Sequence, residues 1–288
     1  MQHNTLGGIL NHVSRQLSRI FNHNEIQTIR KFIAEAVLNV PYHQVFLNTD
    51  QMVNETKVLE VDRVINELIA GKPLQYALGL AYFSDLVLKV NQSVLIPRPE
   101  TEELVSLIVR ENNFKNPRIL DVGTGSGCIA LALAKHISNS IVSAIDILSD
   151  AIALAKENAV SNHLSVNFIQ ADIFDPKPIV GLSFDIVVSN PPYVTESEKE
   201  YMNRNVLDFE PHIALFVPDD DPLIFYRAIA AQSVSWLAPG GWLWFEINEV
   251  FCAEVIDLLK SKGFINIVSI YDFRGKPRFV KAQKLNYG

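Results

Sequence analysis

The stretch Ile119-Leu120-Asp121-Val122-Gly123-Thr124-Gly125-Ser126-Gly127, continued by Cys128-Ile129-Ala130-Leu131-Ala132-Leu133-Ala134, sets an apolar strand against an apolar helix across a glycine-rich turn. Glycine has no Cβ, so such a turn bends tightly and lets a ligand approach its backbone at the carboxyl edge of a strand. The dinucleotide fingerprint needs its third glycine where Cys128 stands, and a phosphate-gripping P-loop needs Gly-Lys-Ser/Thr, which is missing here. Both phosphate readings weaken. The turn alone does not separate a cofactor cradle from a plain strand-to-helix connection.

Outward from this turn, short β-rich runs alternate with helical ones, the pattern of a doubly wound, mostly parallel sheet. The runs predict strands over Arg118–Val122, Ile141–Asp146, Val166–Gln170, Phe184–Ser189, Gly241–Ile247, Ile265–Tyr271 and Phe279–Lys284. Helices are expected over Ser126–His136, Ser149–Ser161, Pro222–Leu237 and Val250–Lys262. Asp146 closes the second strand, 23 positions after Gly123, where a carboxylate accepts hydrogen bonds from a ribose diol. Ile173 follows the third strand, where side chains flank a flat adenine or fill the core. Asp121 suits the positive sulfonium of S-adenosylmethionine as well as it suits a structural role at a helix N-terminus.

The strand Phe184–Ser189 ends in Asn190-Pro191-Pro192-Tyr193, which brings an amide, a proline-fixed backbone and an aromatic ring to the same sheet edge. A planar NH2 group is a poor nucleophile because its lone pair is delocalised. The Asn190 side-chain oxygen and the Pro191 carbonyl are acceptors for its two N–H bonds, and Tyr193 is a surface for it to pack on. Such orientation contributes on the order of 7 kcal/mol to a transfer reaction. With the glycine turn beside it, the tetrapeptide points to methyl transfer onto a planar nitrogen; a Pro-Pro turn by itself points to none.

Upstream, Leu6, Ile9, Leu10, Val13, Leu17, Ile20 and Phe21 recur at helical spacing, as do Ile26, Ile29, Ile33, Val37 and Leu38, and then the run Val58–Ile69. Asn22 or Asn24 is a cap, Pro41 a break, and Gly71 with Pro73 a stop. From Tyr82 the pattern alternates, with Asn91-Gln92-Ser93 as the expected hairpin turn and Val94-Leu95-Ile96 as its second strand. Thr101 is the expected cap of the next helix.

The 288 residues suit about two domains, and 48% apolar with 20% charged residues suits globular cores rather than disorder or a disulfide scaffold. Of 25 basic and 32 acidic side chains, residues 1–80 hold seven of each, so the net charge of −7 lies wholly beyond them. That balance disfavours a grip on nucleic acid, and no basic cluster compensates. Cys128 and Cys252 read as free thiols, and the start of the chain lacks the pattern of a secretory signal. No apolar run reaches membrane-spanning length, and no histidines or cysteines recur at zinc spacing. A cytoplasmic protein without metal is expected.

These residues resemble one family, the protein-(glutamine-N5) methyltransferases of peptide chain release factors, of the HemK/PrmC type. The resemblance takes in Gly71-Lys72-Pro73-Leu74-Gln75-Tyr76, Leu95-Ile96-Pro97-Arg98-Pro99-Glu100-Thr101-Glu102, the glycine turn, Asn190-Pro191-Pro192-Tyr193, Phe209-Glu210-Pro211, and Asp272-Phe273-Arg274-Gly275-Lys276-Pro277-Arg278. It implies a class I S-adenosylmethionine-dependent methyltransferase domain, α/β and Rossmann-like with a mostly parallel seven-stranded sheet, over 101–288. A helical substrate-docking domain over 1–75 and a linker with a β-hairpin over 76–100 complete the implied layout. The implied reaction methylates the glutamine of the Gly-Gly-Gln loop of class 1 release factors and leaves S-adenosylhomocysteine. The resemblance carries cofactor binding to Gly123, Thr124, Gly125, Ser126, Gly127, Asp146, Ile173 and Asn190. It carries substrate binding to Asn190, Pro191, Pro192 and Tyr193, with catalysis on Asn190, Pro191 and Tyr193. Phe209 stands where the family usually has Tyr, Asn248 where it commonly has Gly, and Ile173 near where it often has a larger aromatic. Two rivals are a methyltransferase of nucleic-acid amino groups, against which the charge balance counts, and a noncatalytic adenosine-ligand binder, against which Asn190–Tyr193 counts.

Overall fold

The computed structural model describes residues 4–286 and divides into two units. One runs through Gly79 and takes in Asn203–Phe209; the other is made of Leu80–Met202 and the chain from Glu210 onward.

In the first unit, α1 (Leu6–Leu17) begins where the Thr5 hydroxyl accepts from the Gly8 N–H, and α2 (His23–Phe32) where Asn22 and Glu25 form a reciprocal capping box. A π turn over Ile33–Val37 ends α2 before Pro41. Then come α3 (Tyr42–Val45), α4 (Glu55–Ile69), capped by Asn54, and α5 (Leu74–Leu78). Gly79, left-handed at φ 72°, stops α5. The apolar stripe Leu6, Leu10, Val13 and Leu17 shares one core with Ile29, Ile33, Val64 and Leu68, and the stripe's burial holds the helices together.

The second unit opens with a hairpin of β1 (Leu80–Phe83) and β2 (Leu86–Lys89). The turn is Ser84-Asp85, both at positive φ (46° and 60°), not the expected Asn91-Gln92-Ser93. A two-residue hairpin needs those left-handed conformations. Asn91 instead closes a local turn by accepting from the Ser93 N–H at 2.9 Å, and Val94-Leu95-Ile96 pairs with no strand, although Val94 and Ile96 are buried. Of the stretch 76–100, expected as a linker with a β-hairpin, residues through Gly79 complete α5 in the first unit and the rest, hairpin included, belongs to the second.

There follow α6 (Pro99–Glu111), β3 (Arg118–Val122), α7 (Cys128–His136), β4 (Ile141–Asp146), α8 (Ser149–Ser161), β5 (Asn167–Gln170), β6 (Phe184–Ser189) and β7 (Val194–Thr195). Next, α9 (Arg204–Phe209) lies in the first unit. Back in the second unit are β8 (Phe216–Val217), α10 (Ile224–Trp236), β9 (Leu237–Glu246), α11 (Cys252–Ser261), β10 (Phe264–Tyr271) and β11 (Pro277–Lys284). The main sheet has seven strands in the order β10-β11-β9-β6-β3-β4-β5, parallel from β9 to β5, with β11 antiparallel to both neighbours. Along β3 the side chains alternate: Ile119 enters the core with α7 and α8, Leu120 and Val122 the core with α10 and α11. The winding runs from β3 out to β5 and then restarts at β6 on the other side of β3. The carboxyl ends of β3 and β6 therefore flank a topological switch point, where such sheets bind ligands.

Buried Asn158 of α8 braces this edge. Its Oδ1 accepts from the Lys89 N–H at 2.7 Å, and its Nδ2 donates to the carbonyls of Lys89 (3.0 Å) and Ser126 (2.9 Å), tying the hairpin to the glycine turn.

Candidate active site

A cavity of about 310 Å³ opens at the switch point. Gly123, Thr124, Gly125, Ser126, Asp146, Ile173, Asn190, Pro191 and Pro192 all line it. The turn after β3 is set by backbone bonds: the N–H groups of Gly123 and Thr124 both donate to the Ile145 carbonyl of β4, at 2.9 and 3.0 Å. Gly123 and Gly125 have positive φ (75° and 53°) and open space where a Cβ would stand. Gly127 (φ 83°) differs: a Cβ there would come within 3.2 Å of Ala155 Cβ and 3.3 Å of Leu131 Cδ1. It does not line the cavity; it lets α7 pack closely against α8, and its left-handed backbone starts α7 at Cys128 rather than at the expected Ser126.

Two carboxylates stand behind the turn. Asp146 Oδ2 accepts from the Gly125 N–H at 2.9 Å and Oδ1 from the Leu148 N–H at 3.0 Å, which orients both oxygens at the cavity wall; burial nonetheless raises its pKa. Asp121 is fully buried. Its Oδ2 accepts from the Thr124 hydroxyl (2.6 Å) and the Ala130 N–H (3.2 Å), while Oδ1 has no partner. Desolvation pushes its pKa up to about 7, against hydrogen bonds that lower it. Burial, with Asp121 nearby, pushes the Cys128 thiol up to about 12; the side chain packs against the core and also lines the cavity, and a thiol held protonated is no nucleophile there.

On the other flank Asn190 directly follows β6, and its Nδ2 donates to Thr101 Oγ1 at 3.1 Å. The Thr101 hydroxyl donates to Glu246 Oε2 at 2.7 Å, and the Tyr193 hydroxyl donates to Glu246 Oε1 at 3.0 Å. Burial raises the pKa of Glu246 and holds Tyr193 well above the usual phenol range. Tyr193 is not among the residues that line the cavity: its hydroxyl is held by Glu246, and its partly buried ring packs against the core that holds Tyr226 and Ile229 of α10. Asn248 fixes the backbone, donating through Nδ2 to the Tyr193 carbonyl at 3.2 Å. Thr101 caps no helix. Pro99 opens α6 without a side-chain cap, leaving the Thr101 hydroxyl to Glu246.

Arg98 and Thr101 also line the cavity. Arg98 pairs with buried Glu210 at 2.6 Å, and Glu210 further accepts from the Ile96 N–H at 3.1 Å, so Glu210 holds the Ile96–Arg98 stretch within the second unit. Glu100 pairs with Arg274 at 3.5 Å, and Phe83 is plain core. From the sequence Thr101 reads only as a cap, Glu210 carries no role of its own within its motif, and Glu246 is not singled out. The signal that the sequence holds for Glu246 is a carboxylate near the end of the apolar run Gly241–Ile247.

Residues 100–207 match the family model described as Methyltransferase small domain. The chain is 42% identical over 270 residues to the release factor glutamine methyltransferase of Flavobacterium psychrophilum, covering 92% of this chain and 94% of that protein. It is 41% identical over 273 residues to that of Bacteroides thetaiotaomicron, covering 95% and 98%. The chain belongs to the release factor glutamine methyltransferase family. Membership of the release factor glutamine methyltransferase family makes it an S-adenosylmethionine-dependent enzyme that methylates a release factor glutamine. A solved methyltransferase from Pyrococcus furiosus shares the fold, with a TM-score of 0.54, 17% identity, and coverage of 81% of this chain and 100% of that one. Among the described residues no helix is long and apolar enough to cross a membrane.

Proposed function

We propose that the cavity takes S-adenosylmethionine on its β3–β4 side and, on its β6 side, the target glutamine of the Gly-Gly-Gln loop of class 1 release factors, whose side-chain N5 is methylated. The observation that carries the reading is the Asn190 amide, held at the cavity with its nitrogen engaged and its oxygen left for a donor. Several features fit the cofactor: the open space over Gly123 and Gly125, the oriented Asp146 carboxylate, and the apolar wall at Ile173. Gly123, Thr124, Gly125, Ser126, Asp146 and Ile173 would hold it. When bound, it supplies a methyl group on positively charged sulfur. Gly127 supports this side from behind, by packing.

For the acceptor, Asn190 Oδ1 and the Pro191 carbonyl receive the two N–H bonds of the glutamine amide and fix its plane. Prolines 191 and 192 keep these acceptors from rearranging, so little reorganisation accompanies reaction. No strong base is needed beforehand, because an amide nitrogen sheds its proton readily once alkylated. Tyr193 acts through Glu246 and the backbone instead of by stacking.

The first unit is the docking module for the release factor in this reading. It presents Phe46 and Leu47, 69% and 83% exposed, side by side in sequence beyond α3. A Phe46→Ser, Leu47→Ser protein is expected to show a raised KM for the intact release factor and an unchanged KM for a short glutamine peptide; equal values on both substrates would remove the docking role. The decisive experiment incubates the full chain with labelled S-adenosylmethionine, a purified release factor, duplex DNA and ribosomal RNA. Label is expected on the release factor glutamine. Label on nucleic acid alone would overturn the reading and favour its rival. The acidic balance of the chain supports the protein substrate, and its setting in this reading is the cytoplasm, without membrane or stable nucleic-acid binding.

A further inference from the structure

The two ends of an asparagine amide are alike in shape and opposite in polarity, and only the oxygen can receive an N–H. At Asn190 the nitrogen end is committed to Thr101 Oγ1, at 3.1 Å. The Thr101 hydroxyl has a single proton, and that proton goes to Glu246 Oε2 at 2.7 Å, so its oxygen faces Asn190 purely as an acceptor. The carboxylate that dictates this direction is itself pinned: its other oxygen accepts from the Tyr193 hydroxyl at 3.0 Å, and its backbone carbonyl accepts from the Tyr226 hydroxyl at 3.2 Å. Thr101 is 2% exposed and Glu246 1%, so water does not offer them alternative partners.

We propose that Thr101 and Glu246 are positioning residues that act through Asn190, holding its amide so that Oδ1 faces the acceptor subsite and the site selects a carboxamide over a carboxylate. This rests on the reading of Asn190 and Pro191 as the acceptors for the glutamine amide. With both groups presenting oxygen, an NH2 group satisfies both, whereas a glutamate carboxylate meets lone pairs only. A flipped Asn190 would reverse the preference, setting N–H against N–H for glutamine and offering a donor to glutamate. The flip is disfavoured because Oδ1 would then face a Thr101 oxygen whose proton is already given to Glu246. This gives Thr101 a chemical task within the Pro97–Glu102 block: it is joined to Asn190 across 89 positions and to Glu246 across 145.

The test uses the full chain with Thr101→Val, Thr101→Ser and Glu246→Gln. Each is assayed on an intact release factor, with the same release factor carrying glutamate at the target position as competitor. S-adenosylhomocysteine affinity serves as the check on folding. Thr101→Val is expected to lower kcat about 10- to 100-fold with the KM for S-adenosylmethionine within about twofold. Thr101→Ser, which keeps the hydroxyl, is expected to stay within about threefold of the parent kcat, since it preserves the relay. Glu246→Gln is expected to lose kcat as Val does, and in both impaired variants the glutamate competitor should inhibit more strongly than in the parent. A Thr101→Val protein that binds S-adenosylhomocysteine and turns over at the parent rate overturns the proposal, as does an equal loss in Val and Ser. If Thr101→Val fails to bind S-adenosylhomocysteine, Glu246→Gln decides on its own: parent-like turnover and inhibition overturn the proposal, and loss with stronger inhibition supports it. A parent enzyme that does not methylate the release factor removes the functional reading, and this inference with it.

Discussion

Two loops leave the same edge of one sheet, after β3 and after β6, and they are held in different ways. The β3 loop is a backbone construction: glycines at positive φ, N–H groups on the Ile145 carbonyl, and a carboxylate receiving the Gly125 N–H. The β6 loop is a side-chain construction, in which Asn190 donates to Thr101 and both Thr101 and Tyr193 donate to the Glu246 carboxylate. Backbone donors present the same polarity whatever the side chain, which suits holding a ligand. A side-chain amide has to be told which way to point, and here that instruction comes from α6 and β9.

The sharpest way to break the comparison is Asn190→Ala. Turnover is expected to fall on the order of 1,000-fold while S-adenosylhomocysteine binding, measured by calorimetry, stays within a few-fold. A parallel loss of both would mean that the two loops are not separable. Next in size is Arg98→Ala, which strands buried Glu210. Because the guanidinium is partly exposed, solvent screening trims the expected loss to about 2 kcal/mol, read by urea unfolding.

Within the β3 loop, Gly127→Ala and Gly125→Ala separate packing from conformation. Gly127→Ala combines crowding with a strained φ and is expected to cost about 2 kcal/mol, whereas Gly125→Ala, with open space, costs about 1 kcal/mol. Equal losses in thermal unfolding would contradict the packing role of Gly127.

Asp121 yields the smallest effects and a pH signature. Its pKa rises on folding from 3.8 to about 7, so the folded state holds the proton more tightly, and this group lowers stability as pH climbs from about 4 to 7. The charge cost above neutrality is at most about 4 kcal/mol. In Asp121→Asn most of that is offset by a buried NH2 without an acceptor. A net gain of about 1 kcal/mol is expected at pH 8, vanishing near pH 6 and turning into a net loss at pH 5. Unfolding curves at pH 8 and pH 5 check it; a gain that does not depend on pH would refute the assignment.

How legible the molecule was in its sequence follows from the range of the interactions. The strands β3, β4 and β6 and helix α8 are set by local periodicity, and the pattern predicts them residue for residue. Asn91-Gln92-Ser93 has the more turn-like composition, yet Ser84-Asp85 forms the hairpin turn because it adopts the required left-handed pair. Thr101 reads as a cap from its neighbours alone. Its actual partner is 145 positions away on a strand whose neighbour in the sheet is known only once the winding order is known. Tyr193 illustrates the same limit: an aromatic after Pro-Pro suggests a stacking face, and only the buried carboxylate of Glu246 turns its hydroxyl inward.

The segment Asn203–Phe209, which belongs to the helical unit although it lies far along the chain, bears on biosynthesis. A unit that begins at the N-terminus normally finishes folding while the rest of the chain is still being made. This one lacks a piece until residue 209 has been synthesised, after β6 and the Asn190–Tyr193 loop have already emerged. Nascent chains arrested before that point would carry an incomplete helical unit, and a gene fragment that stops at Gly79 would encode the same unfinished object.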